Sequence, residues 1–550
     1  SLATEACSQK GEEAVRSLPR AVKGLRTAAD TDFARLAERH SIVERILAED
    51  PSGIYPRMDE SSRADYRRRV GELAMDTEKS EASVAADLVE RAAEAAASAP
   101  AAGDITGPSS PRRCHVGAYL PDDRRQRHRR GRILLLLEFL LPAAASIGLA
   151  VAAGQVWILP LFYLPLFEIL RPILEHFGLK GVPPLRLPRL ELEGVIPEEG
   201  RTVIAVSSLL PPADKARETA ERLAKLYNTN GQGAVQVCLL ADLRGAEFPT
   251  LPGDAADISA LQREIRRLNH RLSAAGKPPA LVLAVRGREY SETMGQYTGR
   301  ERKRGAIAEL VRVIRGGENR FLAFEGDLEA LRRCRYLLAL DADTGLLMDT
   351  AARLVGTALH PLNRPVWDEE HHRVAAGYGV LVPRMEPELK SAGRTPFSSA
   401  MAGAGGITPY DVPAGELYMD GFASGIFAGK GLLDVRAFHR LLEEDPFPAE
   451  QVLSHDVLEG SLLRAGLVSD VAMTDGVPAT LPGWLSRLHR WIRGDWQNAP
   501  FLFRHRLPLR RLDRWKLLDN LRRSVTPAAA LLCLLLSPLL PGRGGALLAG

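Results

Sequence analysis

From about residue 200 onward, short apolar runs alternate with segments whose apolar residues recur every three to four positions. "TVIAVSSLL" (202–210), "AVQVCLLAD" (234–242), "ALVLAVR" (280–286) and "YLLALDAD" (336–343) have the length and composition of buried strands. "ADKARETAERLAKLYN" (213–228) and "RKRGAIAELVRVIR" (302–315) have the period of amphipathic helices. This alternation restricts the region to an α/β fold, a mostly parallel sheet with helices on both faces. Ligands of such sheets bind beyond the carboxyl ends of the strands. Asp242, Asp341 and Asp343 all stand at predicted strand ends, where functional carboxylates belong.

Asp341 and Asp343 have only Ala342 between them, so the two-residue period of a strand turns both carboxylates the same way. Like charges this close repel unless a cation lies between them. Carboxylate oxygens suit a hard divalent ion, Mg²⁺ or Mn²⁺, which also binds phosphates. Two enzyme classes use the pattern. One is the nucleotide-sugar glycosyltransferase, whose DxD holds a metal on the diphosphate. The other is the haloacid-dehalogenase-like phosphatase, whose DxDx(T/V) "LDADT" (340–344) matches. That phosphatase needs a later GDxxxD pair, and "GDWQNAP" (494–500) has no second acid at that spacing. A non-catalytic membrane scaffold built on the same fold is a third reading.

A glycosyltransferase also needs a base for the acceptor hydroxyl and an aromatic surface for the acceptor sugar. "VLSHDVLEG" (452–460) offers Asp456 at the head of a helical segment, with His455 as the competing base because its free pKa lies nearer neutrality. "RLHRWIRGDWQ" (487–497) offers Arg490 and Arg493 for phosphate oxygens, and Trp491 and Trp496 for stacking on a sugar.

The 550 residues carry a net charge of only +4, from 72 basic against 68 acidic side chains, which gives no case for a nucleic-acid partner. Five scattered cysteines without a CxxC pair argue against a disulfide framework or structural zinc. The local distribution is less even. The basic run "DDRRQRHRRGR" (122–132) leads into 22 residues with the single charge Glu138 (133–154), long enough to span a bilayer. "VWILPLFYLPLFEIL" (156–170), kinked by Pro160 and Pro165, completes a predicted membrane hairpin over 133–171. The arginines place the flank 115–132, and with an even number of crossings everything after Arg171, in the cytoplasm. Residues 1–114 read as a polar helical region and 195–500 as the α/β domain. Residues 501–524, with Leu512, Trp515, Leu518 and Leu521 at helical spacing among basic residues, read as an interfacial amphipathic helix. Residues 525–550 read as the start of a further span. Opening on Ser1 and ending in an apolar run, the chain reads as a piece of a longer protein.

"ERKRG" (301–305), "LDADT", "HPLNRP" (360–365), "GYGVLVPR" (377–384), "GGITPY" (405–410), "GKGLLDV" (429–435), "LSHDVLEG" (453–460), "AGLVSDV" (465–471) and "HRWIRGDWQ" (489–497) together resemble the glycosyltransferase domain of cyclic β-1,2-glucan synthases. Residues 41–67 and 115–123 resemble the segments that precede that domain. The resemblance implies a GT-A type, inverting, multi-pass enzyme of the bacterial inner membrane. It would transfer glucose from UDP-glucose to a β-glucan acceptor, with a phosphorylase-like domain further along the full-length chain; a related processive polysaccharide synthase is the alternative. It also implies roles: Asp341 and Asp343 for metal and diphosphate, Asp456 as base, and Arg490 and Trp491 for acceptor and diphosphate. Lys303 and Arg304 would face the nucleotide phosphates, and Asp242 the uracil or ribose. Synthesis on the enzyme itself would need a primer hydroxyl, for which Tyr410 in "GGITPY" is the first candidate and Tyr418 the second. Two positions depart from the pattern: Leu488 stands where glutamine is usual, and the tryptophans usual before "ERKRG" are missing.

Overall fold

The structure, a computed structural model, describes residues 19, 22–29, 40–98, 110–121, 124–154, 159–180, 184–402, 416–444, 446–447, 455–503, 507–536 and 538. The chain divides into two compact units, residues 1–103 with 109–121, and residues 104–108 with 122–550.

In the first unit, helices α1 (Ile42–Leu47), α2 (Glu60–Thr77) and α3 (Glu81–Ala97) each start on a side-chain cap. Ser41, Asp59 and Ser80 accept from the backbone N–H three residues on, satisfying donors that a helix start leaves open. His115 is fully buried, with Nδ1 2.8 Å from Asp50 Oδ2 and Nε2 3.0 Å from the Tyr66 hydroxyl, tying three distant segments together.

The second unit holds a nine-stranded mixed sheet. Its strands are β1 (Thr202–Leu209), β2 (Val235–Asp242), β3 (Leu281–Arg286), β4 (Ala323–Glu325), β5 (Tyr336–Asp341), β6 (Gly345–Leu346), β7 (Val380–Pro387), β8 (Gly431–Asp434) and β9 (Ala465–Asp475), in the order β4-β3-β2-β1-β5-β8-β7-β9-β6. β3, β2, β1 and β5 run parallel, and β8 enters antiparallel between β5 and β7. Every residue from Tyr336 to Leu340 is buried, as an apolar strand covered on both faces must be. Helices α6 (Ala216–Asn230), α7 (Asp254–Ala274), α8 (Arg302–Ile314) and α9 (Thr350–Leu359) supply the covers.

The chain builds outward from β1 through β2 to β3, then returns to place β5 on the other side of β1. Such a reversal opens a crevice between the carboxyl ends of the two strands. The register sets Ser207 beside Asp341 and Leu209 beside Asp242, so the aspartates line that edge.

Two further helices, α4 (Arg124–Ala153) and α5 (Leu159–Gly178), pack as a pair, and α14 (Arg511–Leu536) lies against α5. From Arg124 onward the basic run is thus helical and continuous with the apolar stretch. Pro160 does not break α5, because it falls in the first turn, where no intrahelical N–H is needed. Among the described residues only Arg125–Ala152 is long and apolar enough to cross a membrane, so the expected series of crossings is not supported. The α5 arm carries Glu168, Arg171 and Glu175. Residues 511–536 form one helix with no break near 524. It buries Asp513, Lys516, Asp519 and Arg522 against the protein, the reverse of a helix that turns its charged face to water.

Candidate active site

The α8 turn brings Lys303 to the crevice. Its ammonium donates to Asp341 Oδ1 and to the carbonyl of Gly429. Lys430, next in the chain, lies 3.2 Å from the other Asp341 oxygen and 2.6 Å from Asp475 at the end of β9. Burial works against ionisation of Asp341, and the two lysines more than reverse it, holding its carboxyl below the usual range. α8 starts under strain: Glu301 and Arg302 both adopt left-handed backbone angles, with φ of 51° and 49°. Such residues cost about 1–3 kcal/mol each and collect at functional sites.

Asp343 sits beyond the strand end with its side chain 52% exposed, and Arg487 approaches it at 3.4 Å. Arg487 projects from α13 (Leu481–Asn498), which also carries Arg490, Trp491 and Arg493. Arg490 and Arg493 lie near enough to Arg302 that, after burial, their charges lower its pKa. Neither Arg490 nor Arg493 forms an ion pair among the described residues. Three cations facing one another without a carboxylate make a natural seat for a multiply charged anion. Trp491 is 41% exposed, and the Arg487 guanidinium lies 6.0 Å from its ring centre.

Asp456 is the first residue of α12 (Asp456–Leu462) and faces Gly429, where φ is +82° and a Cβ would come within 2.9 Å of the Asp456 carboxylate. Glycine at 429 therefore lets the Lys303-bonded backbone come close to Asp456. Burial raises the Asp456 carboxyl above its ordinary value; Lys303 and Lys430 oppose the rise and Asp341 adds to it. His455 is buried against the Phe447 ring, and neither ring nitrogen has a hydrogen-bond partner. Burial, with Arg304 adding to it, presses its pKa down to about 3, so it is neutral and weakly basic.

The structure thus gathers Asp341, Lys303 and Asp456 in one cluster, and sets Asp343 and Arg490 on its open side. Arg304 does not face the open side. Its guanidinium is turned inward onto Glu459, at 2.8 Å, and Glu301, at 2.6 Å, and so ties α8 to α12. Asp242 is held in a two-point ion pair by Arg286, at 2.7 and 2.8 Å. Tyr410 lies outside the described residues. Tyr418 is fully buried, with its hydroxyl donating to Asp519 at 3.2 Å, a packing role rather than an open nucleophile. Lys430, Asp475, Arg487 and Glu459 were not singled out from the sequence. Lys430, Glu459 and Arg487 lie inside quoted stretches, whereas Asp475 joins the cluster only through long-range packing.

Among the described residues no group of three or more His, Cys, Asp and Glu could hold a metal unaided. A divalent ion completed by substrate phosphates needs only one or two carboxylates. Asp343, exposed at the strand end, fits that requirement; Asp341 fits it less directly, since two lysines already engage it. A cavity of about 280 Å³ beside Ala342, lined also by Ser208, Thr219, Arg222 and Leu239, opens on the α6 side of the same strand ends.

No family model matches the chain. It is 32% identical over 538 residues to the cyclic β-(1,2)-glucan synthase NdvB of Rhizobium meliloti (strain 1021). The match covers 92% of this chain and 19% of that protein, so the chain spans about a fifth of the length of its curated relative.

Proposed function

We propose that this chain, which belongs with the cyclic β-1,2-glucan synthase family as a counterpart of one segment of it, is a membrane-associated glucosyltransferase module of GT-A type. It transfers glucose from UDP-glucose, with inversion, to a β-1,2-glucan. The observation that carries the reading is the meeting of Asp341, Lys303, Lys430 and Asp456 at the switch point of the sheet, with an unpaired arginine cluster beside it.

In this reading Arg302, Arg490 and Arg493 bind the diphosphate, the cavity beside Ala342 takes the nucleoside, and Trp491 stacks on the acceptor sugar. A Mg²⁺ or Mn²⁺ ion held by Asp343, with Asp341 as the second candidate, would offset the charge that develops on the leaving UDP. Lys303 and Lys430 keep Asp341 ionised and fixed. Asp456 accepts the proton of the attacking hydroxyl, and its raised proton affinity suits that task near neutral pH. The anomeric carbon bonds to the acceptor oxygen as its bond to the UDP oxygen breaks.

Membrane association rests on α4 and on exposed apolar side chains of the three packed helices. Leu136, Leu140, Ile147 and Val151 of α4, Ile169 of α5, and Leu531 and Leu535 of α14 are each more than half exposed. Arg125, Arg129 and Arg132 are exposed at the head of α4, as suits a flank facing an anionic cytoplasmic leaflet, and in this reading α4, α5 and α14 associate with that leaflet without carrying the sheet across it, so that the sheet stays in the cytoplasm. Residues 200–500 should resist protease in right-side-out spheroplasts; cleavage without lysis reverses the topology. The activity itself is tested by glucose incorporation from UDP-glucose into membranes carrying the protein, with Asp456→Asn as the blank. Incorporation equal in both removes the assignment.

A further inference from the structure

We propose that the short helix α10 (Leu417–Phe422) is the joint by which α4, α5 and α14 set the active-site strand β8, and that Lys516 is the positioning residue that locks it. The inference rests on reading the Lys303–Asp341–Lys430 cluster as the transfer site.

α10 is held by α4 and by α14, and through α14 by α5. From α4, the Arg127 guanidinium donates to the carbonyl of Asp420 at 3.4 Å, and His128 Nε2 lies 3.2 Å from that of Phe422. Gly131 lets the two helices touch: a Cβ there would stand 3.3 Å from the Cα of Gly421 and 2.9 Å from the Phe422 ring. From α14, Asp519 accepts the Tyr418 hydroxyl, and the same carboxylate pairs with Arg171 of α5 at 2.7 Å.

Lys516 then fastens the chain leaving α10. It is 2% exposed, and its ammonium donates to the carbonyls of Ser424 and Gly425, both at 2.8 Å, and to Ser424 Oγ at 3.0 Å. An ammonium has three donors, and here three acceptors take them. Four residues beyond Gly425 the same strand of chain presents the Gly429 carbonyl to Lys303, and then Lys430 to Asp341 and Asp475. β8 follows at once, paired to β5 with Gly431 beside Ala339. A shift of Ser424 and Gly425 therefore moves the groups that hold the DxD aspartate. Removing the ammonium would leave three acceptors without their donor.

Lys516→Met keeps the length of the side chain and removes the donors. The full-length protein in membranes is compared with Leu261→Ala, a fully buried site on α7 remote from the cluster, as a control for general destabilisation. Two readouts are needed. Hydrogen exchange over residues 424–434 should quicken about tenfold or more in Lys516→Met and stay unchanged in Leu261→Ala. Turnover of UDP-glucose should fall about tenfold or more in kcat for Lys516→Met alone, at matched loss of melting temperature. Should Lys516→Met not fold, Ser424→Ala, which removes one acceptor of the three, should show a smaller change of the same kind. Unchanged exchange over 424–434, or equal kcat loss in the control, overturns the joint. A wild type without turnover refutes the transfer reading instead, and the exchange result still decides the joint.

Discussion

Replacing Asp456 by asparagine exchanges an ionisable oxygen for an amide of the same shape. Among the described residues the Asp456 carboxylate accepts no hydrogen bond; its surroundings are burial, the Gly429 backbone and the charges of Lys303, Lys430 and Asp341. The amide loses no partner, so the folded state should change by about 1 kcal/mol or less. Transfer should fall by a factor of about 10² to 10⁴, the usual contribution of a general base, equivalent to about 3–5 kcal/mol in the barrier. UDP binding, measured by calorimetry, should stay within about twofold. The base works only when ionised, and its pKa is raised in the fold, so kcat/KM should drop as pH falls through a value above the ordinary aspartate pKa of about 3.9. The residual rate of the Asp456→Asn variant should lack that acid limb. His455→Leu is the counter-test. The ring it removes is buried, neutral and without hydrogen-bond partners, so activity should stay within about threefold and stability should hold or rise by about 1 kcal/mol. If His455→Leu abolishes transfer and Asp456→Asn spares it, the base assignment fails.

Asp343→Asn should abolish metal-dependent UDP binding while leaving the melting temperature unchanged, since its carboxylate is exposed and weakly paired; retained metal-dependent binding would exclude it as the holder. The double change Arg490→Ala and Arg493→Ala should raise the KM for UDP-glucose about tenfold or more and flatten its salt dependence, read from initial rates at several ionic strengths. Lys430→Met should cost about 3–5 kcal/mol in thermal unfolding, because it leaves the 8%-exposed Asp475 carboxylate without its cation. Asp341, held below its ordinary pKa, contributes stability that is complete above about pH 4 and lost as pH falls through its folded value, so Asp341→Asn should remove that acid-induced loss from a pH series of melting curves.

The parts of the fold that rest on local pattern were legible in the sequence. The runs read at 202–210, 234–242 and 280–286 are strands Thr202–Leu209, Val235–Asp242 and Leu281–Arg286, because a buried parallel strand needs an unbroken apolar run. The helix start at Asp456 was legible in the stretch it heads, residues 452–460. The four-residue β8 was not, being too short to show a period and owing its place to β5 and β7. Arg304 and Lys303 are neighbours of the same charge, and only packing decides that one turns inward to Glu459 while the other reaches Asp341. The burial of charged side chains on α14 was not legible, because the partner of Asp519, Arg171, lies 348 residues away in the chain.

The proposed reaction is metal-assisted transfer of glucose from UDP-glucose at the end of β5. Its most direct test is the transfer of labelled glucose from UDP-glucose by membranes containing the protein, followed with linkage analysis, in Mn²⁺ or Mg²⁺ and in excess chelator, beside Asp343→Asn and Asp456→Asn. β-1,2-linked product and released UDP are expected only with the divalent ion and both aspartates present. Equal incorporation in chelator, or in either variant, would contradict it.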